Sequence, residues 1–262
     1  MKRNSQKLAN RFENSAEFRF YEELNDFLRP EQRKQTLVYR FNGNPGIKDP
    51  IEVLGVPHTE VDLIVVNGES VGFGYRLKNA DRVAVYPVFE SFDITPIVRL
   101  REAPLRDTAF IVDVNLGKLA RLLRLFGFDT LFANSLDDKE IVAVSVEQER
   151  IILTRDRRLL YAKAVTHGYW VRAVNPLEQL AEVVKRFDLA DQLKPFSRCT
   201  ACNALIEPVE KQAVLDLLEP KTRLYYERFY RCPACGKVYW EGSHIDHMRQ
   251  RFGEYLKKDT AV

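Results

Sequence analysis

Apolar and polar positions along this chain keep one rhythm to about residue 89 and another from residue 110 onward. In the first stretch apolar residues alternate in short runs bounded by turn formers. Phe18-Arg19-Phe20-Tyr21 and Thr36-Leu37-Val38-Tyr39-Arg40-Phe41 read as strands. Asn42-Gly43-Asn44-Pro45-Gly46 then breaks the pattern. Asp49-Pro50 predicts a short helix, with Asp49 as its cap, Pro50 at its first position and Gly55 at its end. Val61–Val66 reads as a buried strand turned by Asn67-Gly68, and Arg82–Phe89 as another. Two strands, a short helix and further strands predict a small α+β domain over residues 16–100, one helix covering a mixed sheet.

Arg101–Thr108 reads as a linker. Beyond it strands alternate with helices: strand Phe110–Val114, helix Leu116–Phe126, strand Phe128–Phe132, helix Asp138–Gln148, strand Ile151–Thr154, helix Asp156–Val165, strand Tyr169–Val174 and helix Pro176–Phe187. Leu116, Leu119, Ala120, Leu123 and Phe126 share one face of the first helix, which Gly127 stops. This order, with short connections, predicts a parallel sheet with helices on both faces over residues 108–194. A third region, 195–257, carries the cysteines and a polar helix from about His244 to Lys257. The fold class is therefore α/β.

All four cysteines stand in two knuckles, Cys199-x-x-Cys202 and Cys232-x-x-Cys235. Two thiolates from one tight turn reach a single ion, so two such turns complete a tetrahedral site for structural Zn²⁺. A secreted protein would use them as disulfides, but Met1–Lys7 leads into no apolar signal segment. A redox pair would follow a strand, whereas Cys199 follows the loop Lys194–Arg198. Four cysteine ligands leave no open position for substrate, so chemistry is expected elsewhere.

Composition narrows the class only a little. With 262 residues, 45% hydrophobic and a net charge of +3, the chain is that of a globular protein that permits nucleic acid binding without demanding it. No apolar run reaches the roughly 20 residues of a membrane span, so no membrane partner and a cytoplasmic location are expected.

Ligands of open parallel sheets bind beyond the carboxyl ends of the strands. Asp113 closes the first strand of the central region, Asp137 and Asp138 precede the second helix, and Asp156 follows the third strand. Three carboxylates converging there would repel one another unless a hard cation lay between them, and oxygen donors suit Mg²⁺ or Mn²⁺. Asp137 or Asp138, with Glu140 just inside the helix, also makes an ordinary N-terminal cap, and Asp156 can cap its own helix. Asp113 is expected to have no cap to make. Lys118, Arg121 and Arg124 recur on the outer face of the first helix, and Arg155, Arg157 and Arg158 surround Asp156. These are solvated faces and local ion pairs, or they hold a phosphate backbone. His244 and His247 read as surface or packing residues, and Tyr225–Tyr230 as packing for the ribbon or as a surface that stacks bases. Gly72-x-Gly74 is no dinucleotide site, lacking its third glycine.

Taken together, Phe110–Asp113 with Leu116–Arg121, Leu136–Ile141, Ile152–Asp156, Ser197–Cys199 and Arg231–Trp240 resemble the Mut-seven C-terminal RNase family, a PIN-like nuclease domain fused to a zinc ribbon. Asp49–Glu52 through Val65–Gly68 is similar to the ubiquitin-like β-grasp domain that often precedes it. The resemblance implies a metal-dependent ribonuclease. Asp113, Asp138 and Asp156 would be its Mg²⁺ or Mn²⁺ ligands, with Asp137 and Glu140 as additional acids. Cys199, Cys202, Cys232 and Cys235 would bind zinc, and Lys118, Arg121, Arg155 and Arg157 would contact RNA. Many PIN domains carry a further acid soon after the third, where this chain has Arg157 and Arg158. An RNA- or ribosome-binding adaptor without turnover, or a protein-interaction module built on the β-grasp domain, is the alternative. That domain lacks the exposed Gly-Gly tail of sulfur carriers and is expected to recruit a protein partner instead.

Overall fold

The computed structural model describes residues 12–87 and 108–257, which fall into two compact units: 12–87 with 160–168, and 108–159 with 169–257. The predicted linker up to residue 107 and the last residues of the strand predicted to end at Phe89 lie outside the described residues.

In the first unit β1 (Asn14–Phe20), β2 (Thr36–Phe41), β3 (Val61–Val66), β4 (Glu69–Val71) and β5 (Arg82–Pro87) form a mixed sheet in the order β2-β1-β5-β3-β4. Only β1 and β5 run parallel among its paired strands. Period-two alternation explains β1: Ala16, Phe18 and Phe20 are buried while Glu17 and Arg19 face out. Asn67 and Gly68 both take positive φ, at 52° and 96°, as the tight turn of a right-twisting hairpin requires. Helix α1 (Lys48–Val53) begins earlier than expected. Ile47 stands at its cap, and Asp49 lies inside the first turn without capping it. The cause is burial: Ile47 is inaccessible to solvent and its N–H donates to the Tyr75 carbonyl at 2.9 Å, fixing where the helix starts.

The second unit is built on β6 (Ala109–Val112), β7 (Asp129–Leu131), β8 (Ile151–Thr154) and β9 (Gly168–Trp170), in the order β7-β6-β8-β9. β6 pairs parallel with both β7 and β8. The chain leaves β6 through α2 (Gly117–Leu125) for β7 on one side, then returns through α3 (Asp138–Glu147) to β8 on the other. Right-handed crossovers of this kind set the two helices on opposite faces and open a crevice between the carboxyl ends of β6 and β8. Helix α2 buries Leu119, Ala120 and Leu123 and ends at Gly127, where φ is 100° and a Cβ would sit 2.5 Å from the Lys194 carbonyl oxygen. Helix α4 (Pro176–Arg186) packs on α2.

Two expected elements are shorter than their patterns suggest. The helix expected over Asp156–Val165 is a 3-10 turn, Arg157–Tyr161. Carbonyls that would continue it are taken by side chains of the first unit: Thr59 Oγ1 donates to the Leu160 carbonyl at 3.3 Å, and His58 Nε2 lies 2.8 Å from that of Val165. β9 stops at Trp170 rather than Val174. Beyond it the N–H groups of Arg172 and Ala173 donate to the Glu182 carboxylate, both at 2.8 Å, instead of to a strand.

The cysteine region is a three-stranded antiparallel ribbon, β10 (Glu207–Val209), β11 (Phe229–Arg231) and β12 (Val238–Trp240), with α5 (Pro220–Tyr225) before β11. Helix α6 (Ser243–Lys257) returns to pack on α4, its Phe252 ring 4.7 Å from that of Phe126. The whole is α/β, as the sequence predicts.

Candidate acidic site and four-cysteine centre

Each cysteine pair is shaped by its own backbone. Asn203 N–H donates to the Cys199 carbonyl at 2.9 Å and Gly236 N–H to that of Cys232 at 2.9 Å, closing two matching loops. The four Sγ atoms lie within 4.8 Å of one another, with Cys199 to Cys235 at 3.5 Å and Cys202 to Cys232 at 3.4 Å. A tetrahedron with metal–sulfur bonds of about 2.3 Å has edges of about 3.8 Å, so the donor set fits zinc. Electrostatics agree. Burial opposes ionisation of Cys199, yet the Tyr239 hydroxyl, 3.0 Å away, and nearby backbone N–H groups bring its thiol down to about 6. The Cys202 thiol, despite an N–H from Ala204, is pushed up to about 12 by burial and by its sulfur neighbours. Four sulfurs so close cannot all ionise unless a cation offsets their repulsion.

Arg124 is not on the outer face of α2. It is 4% exposed and braces the first knuckle. Its Nε donates to the Thr130 carbonyl at 2.8 Å, and Nη1 reaches the carbonyls of Ala201 at 2.9 Å and Thr200 at 3.3 Å. Asn203 adds two bonds, accepting from Thr130 N–H at 3.0 Å and donating to Asp129 at 2.9 Å. Asp129 also pairs with Arg150 at 2.6 Å and Arg198 at 3.4 Å.

At the crevice, Asp113 is 4% exposed. It does cap, contrary to expectation: its side chain accepts the Asn115 N–H at 3.2 Å at the head of a 3-10 turn, Val114–Leu116. Its other oxygen accepts from Thr154 Oγ1 at 2.8 Å, and that same hydroxyl accepts from Asp156 N–H at 2.8 Å. Thr154 thus ties the ends of β6 and β8 together. Sequence reasoning passes over it, although a polar residue closing an apolar strand beside Asp156 is an available signal. Among the described residues Asp113 has only neutral hydrogen-bond donors. The oxygen-donor chemistry of this carboxylate is of the kind that Mg²⁺ or Mn²⁺ accepts.

The other acids are arranged differently. Asp137 and Glu140 form a complete capping box on α3, each accepting the other's backbone N–H at 2.8 Å. Both are engaged in holding the start of the helix. Asp138, at the first position of α3, is exposed and makes no hydrogen bond among the described residues. Asp156 accepts from the Arg158 N–H at 2.9 Å and pairs with its guanidinium at 2.9 Å, which holds the carboxyl below its usual range. Asp138 also favours the charge on Arg158, so one guanidinium sits in the field of two of the three acids. Among the described residues the cysteines alone bring three or more metal-ligating atoms within 4.8 Å of one another; Asp113, Asp138 and Asp156 do not.

The cations divide too. Arg155 donates from one guanidinium nitrogen, Nη1, to the carbonyls of Arg172 and Ala173. Arg157 stacks over Trp170, 3.7 Å from the ring centre, a geometry that a base-stacking surface and a packing interaction share. Lys118 and Arg121 are exposed on α2.

Comparison with known proteins agrees with this architecture. Residues 108–252 match the family model described as Mut7-C RNAse domain, and residues 13–93 match that described as Mut7-C ubiquitin. No curated protein and no solved structure matches the chain. No described helix is long and apolar enough to cross a membrane. The first of these models spans more than half of the chain, which therefore belongs to the Mut7-C RNAse domain family, with a Mut7-C ubiquitin domain ahead of it.

Proposed function

We propose that the second unit is a metal-dependent endoribonuclease whose Mg²⁺ or Mn²⁺ is held by Asp113, Asp138 and Asp156. The observation that carries this reading is the burial of Asp113 against neutral donors alone, in the crevice between β6 and β8. When bound, the ion would supply an acidified water and charge neutralisation at the scissile phosphate. The chain's own residues do the rest. Thr154 orients Asp113 through its hydroxyl and fixes the Asp156 backbone through the same oxygen. Asp138 stands at the start of α3, facing the Arg158 that Asp156 now holds. With that guanidinium displaced, Asp156 would be available to hold the ion and Arg158 would offer a cation to the phosphate. Lys118, five residues beyond Asp113, would contact the strand.

Cleavage of single-stranded RNA in Mn²⁺ by wild type and Asp113→Asn tests the reading. Loss in the variant alone supports it, and equal rates contradict it.

A second reading, an RNA-binding fold without turnover, is favoured by the Arg158–Asp156 pair, which puts an internal cation where a metal ligand is expected. RNA binding indifferent to Mn²⁺, with no cleavage, would select it. For the first unit, recruitment of a protein partner has one supporting feature, the exposed Val38 on edge strand β2. Four reduced cysteines around zinc fit a reducing compartment such as the cytoplasm.

A further inference from the structure

A cavity of about 650 Å³ lies within the second unit, where α2, the start of α4, the first cysteine knuckle and α6 meet. Its volume falls in the range of about 300–1,000 Å³ usual for small-molecule sites. Lys118 and Arg121 of α2 and Arg251 of α6 stand on its wall, and no carboxylate among the described residues lines it. None of the three cations makes a hydrogen bond or ion pair among the described residues. Arg150, Arg155 and Arg198 of the same unit, by contrast, each have partners. Beneath them Leu122, Leu177 and Met248 give an apolar floor.

Unpaired positive charge over an apolar floor matches a ligand with an anionic edge and a flat, weakly polar body. Inorganic phosphate leaves the floor unused, and a fatty chain leaves three cations with one headgroup. A nucleotide uses both, its phosphates on the rim and its base below. Position points the same way. Lys118 lies in the first turn of α2, directly after the segment that carries Asp113, and Asn175 to Leu177 follow β9, so part of the cavity wall comes from residues that follow the carboxyl ends of strands, as the acids do. We infer that this cavity is a subsite for one nucleotide of a single-stranded RNA, gripping a phosphate through Lys118, Arg121 and Arg251 and holding the strand in register with the acidic crevice. This rests on the reading of the unit as one that handles RNA, and it adds Arg251 and the α6 face to the residues that do so.

The test uses zinc-loaded full-length protein carrying Asp113→Asn to prevent cleavage, and anisotropy of a labelled eight-nucleotide RNA titrated over a range of KCl. Adding Arg121→Gln and Arg251→Gln, both at exposed positions, should raise Kd at least tenfold. It should also flatten the salt dependence by about 0.7 for each phosphate that is no longer neutralised. Unchanged Kd and slope, with unchanged zinc content and thermal midpoint, overturn the subsite. An oligonucleotide with abasic positions should bind more weakly; equal binding means that no base rests on the apolar floor, which overturns the nucleotide. Poly-glutamate of equal charge competing as well as RNA also overturns it. The two proposals separate cleanly. RNA binding that needs Arg121 and Arg251, with no cleavage by the protein that keeps Asp113, leaves the subsite standing and removes the nuclease. Cleavage with a KM indifferent to both arginines does the reverse.

Discussion

The guanidinium of Arg124, buried in the second unit, donates to the carbonyl of Ala201, between the first two cysteines, at 2.9 Å. A knuckle of the four-sulfur set that fits zinc is thereby fastened to the helix that follows Asp113. Through tertiary fastening of this kind, bound zinc would stabilise the whole unit and not the ribbon alone.

Removal of zinc by a chelator after thiol modification should therefore lower the unfolding midpoint of the complete second unit, with one zinc released per chain. Melting of the ribbon at a separate, lower temperature with the rest unaffected would contradict this.

Arg124→Ala should destabilise the zinc-loaded protein by roughly 2–4 kcal/mol, because it strands the buried Thr130 carbonyl and removes the donor of the partly buried carbonyls of Thr200 and Ala201. Urea unfolding with and without chelator checks the mechanism: the gap between the two curves should narrow in the variant. A loss no larger than that of an ordinary surface substitution would show that the brace carries no weight.

Acid should act through Asp129. Burial pushes its carboxyl up, but hydrogen bonds from Arg150 and Asn203 and the charges of Arg150 and Arg198 outweigh that and hold it below its usual value. A depressed folded pKa stabilises above the unfolded value, near about 3.9, and that stabilisation fades as pH falls through the folded value. Asp129→Asn should be less stable at neutral pH, and the difference from wild type should shrink below about pH 4. A difference that stays constant from neutral pH into strong acid would rule this group out.

The neighbouring acids Asp137 and Asp138 should part company. Asp137→Ala removes one half of a capping box and should cost about 1 kcal/mol of stability while leaving RNA cleavage intact. Asp138→Asn should do the opposite, sparing stability and reducing cleavage. Thermal denaturation and initial rates, measured on both variants, distinguish them, and a reversed pattern would reassign the ligand.

Much of this is legible in the chain. The cysteine spacing specifies its own geometry, since a four-residue knuckle brings its two sulfurs together without outside help. Strands β2, β3 and β8 follow directly from apolar runs. The site is harder, because a carboxylate at a strand end and one at a helix start look alike in sequence. Asp137 and Glu140 satisfy each other, which only the backbone geometry of α3 reveals. Arg124 sits three residues from Arg121 and looks equally solvated; carbonyls some 76 residues away in sequence decide otherwise. Tyr239 is invisible for the same reason, being defined by what folds against it, whereas Thr154 leaves one trace, a polar residue closing an apolar strand. The helix expected at Asp156–Val165 has the right periodicity, but partners distant in sequence claim its carbonyls.

The arrangement of Asp113, Asp138 and Asp156 is the central claim, and anomalous scattering from a crystal soaked in Mn²⁺ tests it most directly. The account predicts a single manganese peak at about 2.1 Å from oxygens of Asp113 and Asp156, near Asp138, with Arg158 swung away from Asp156. A map with no manganese at Asp113 and the Arg158–Asp156 pair intact would contradict it.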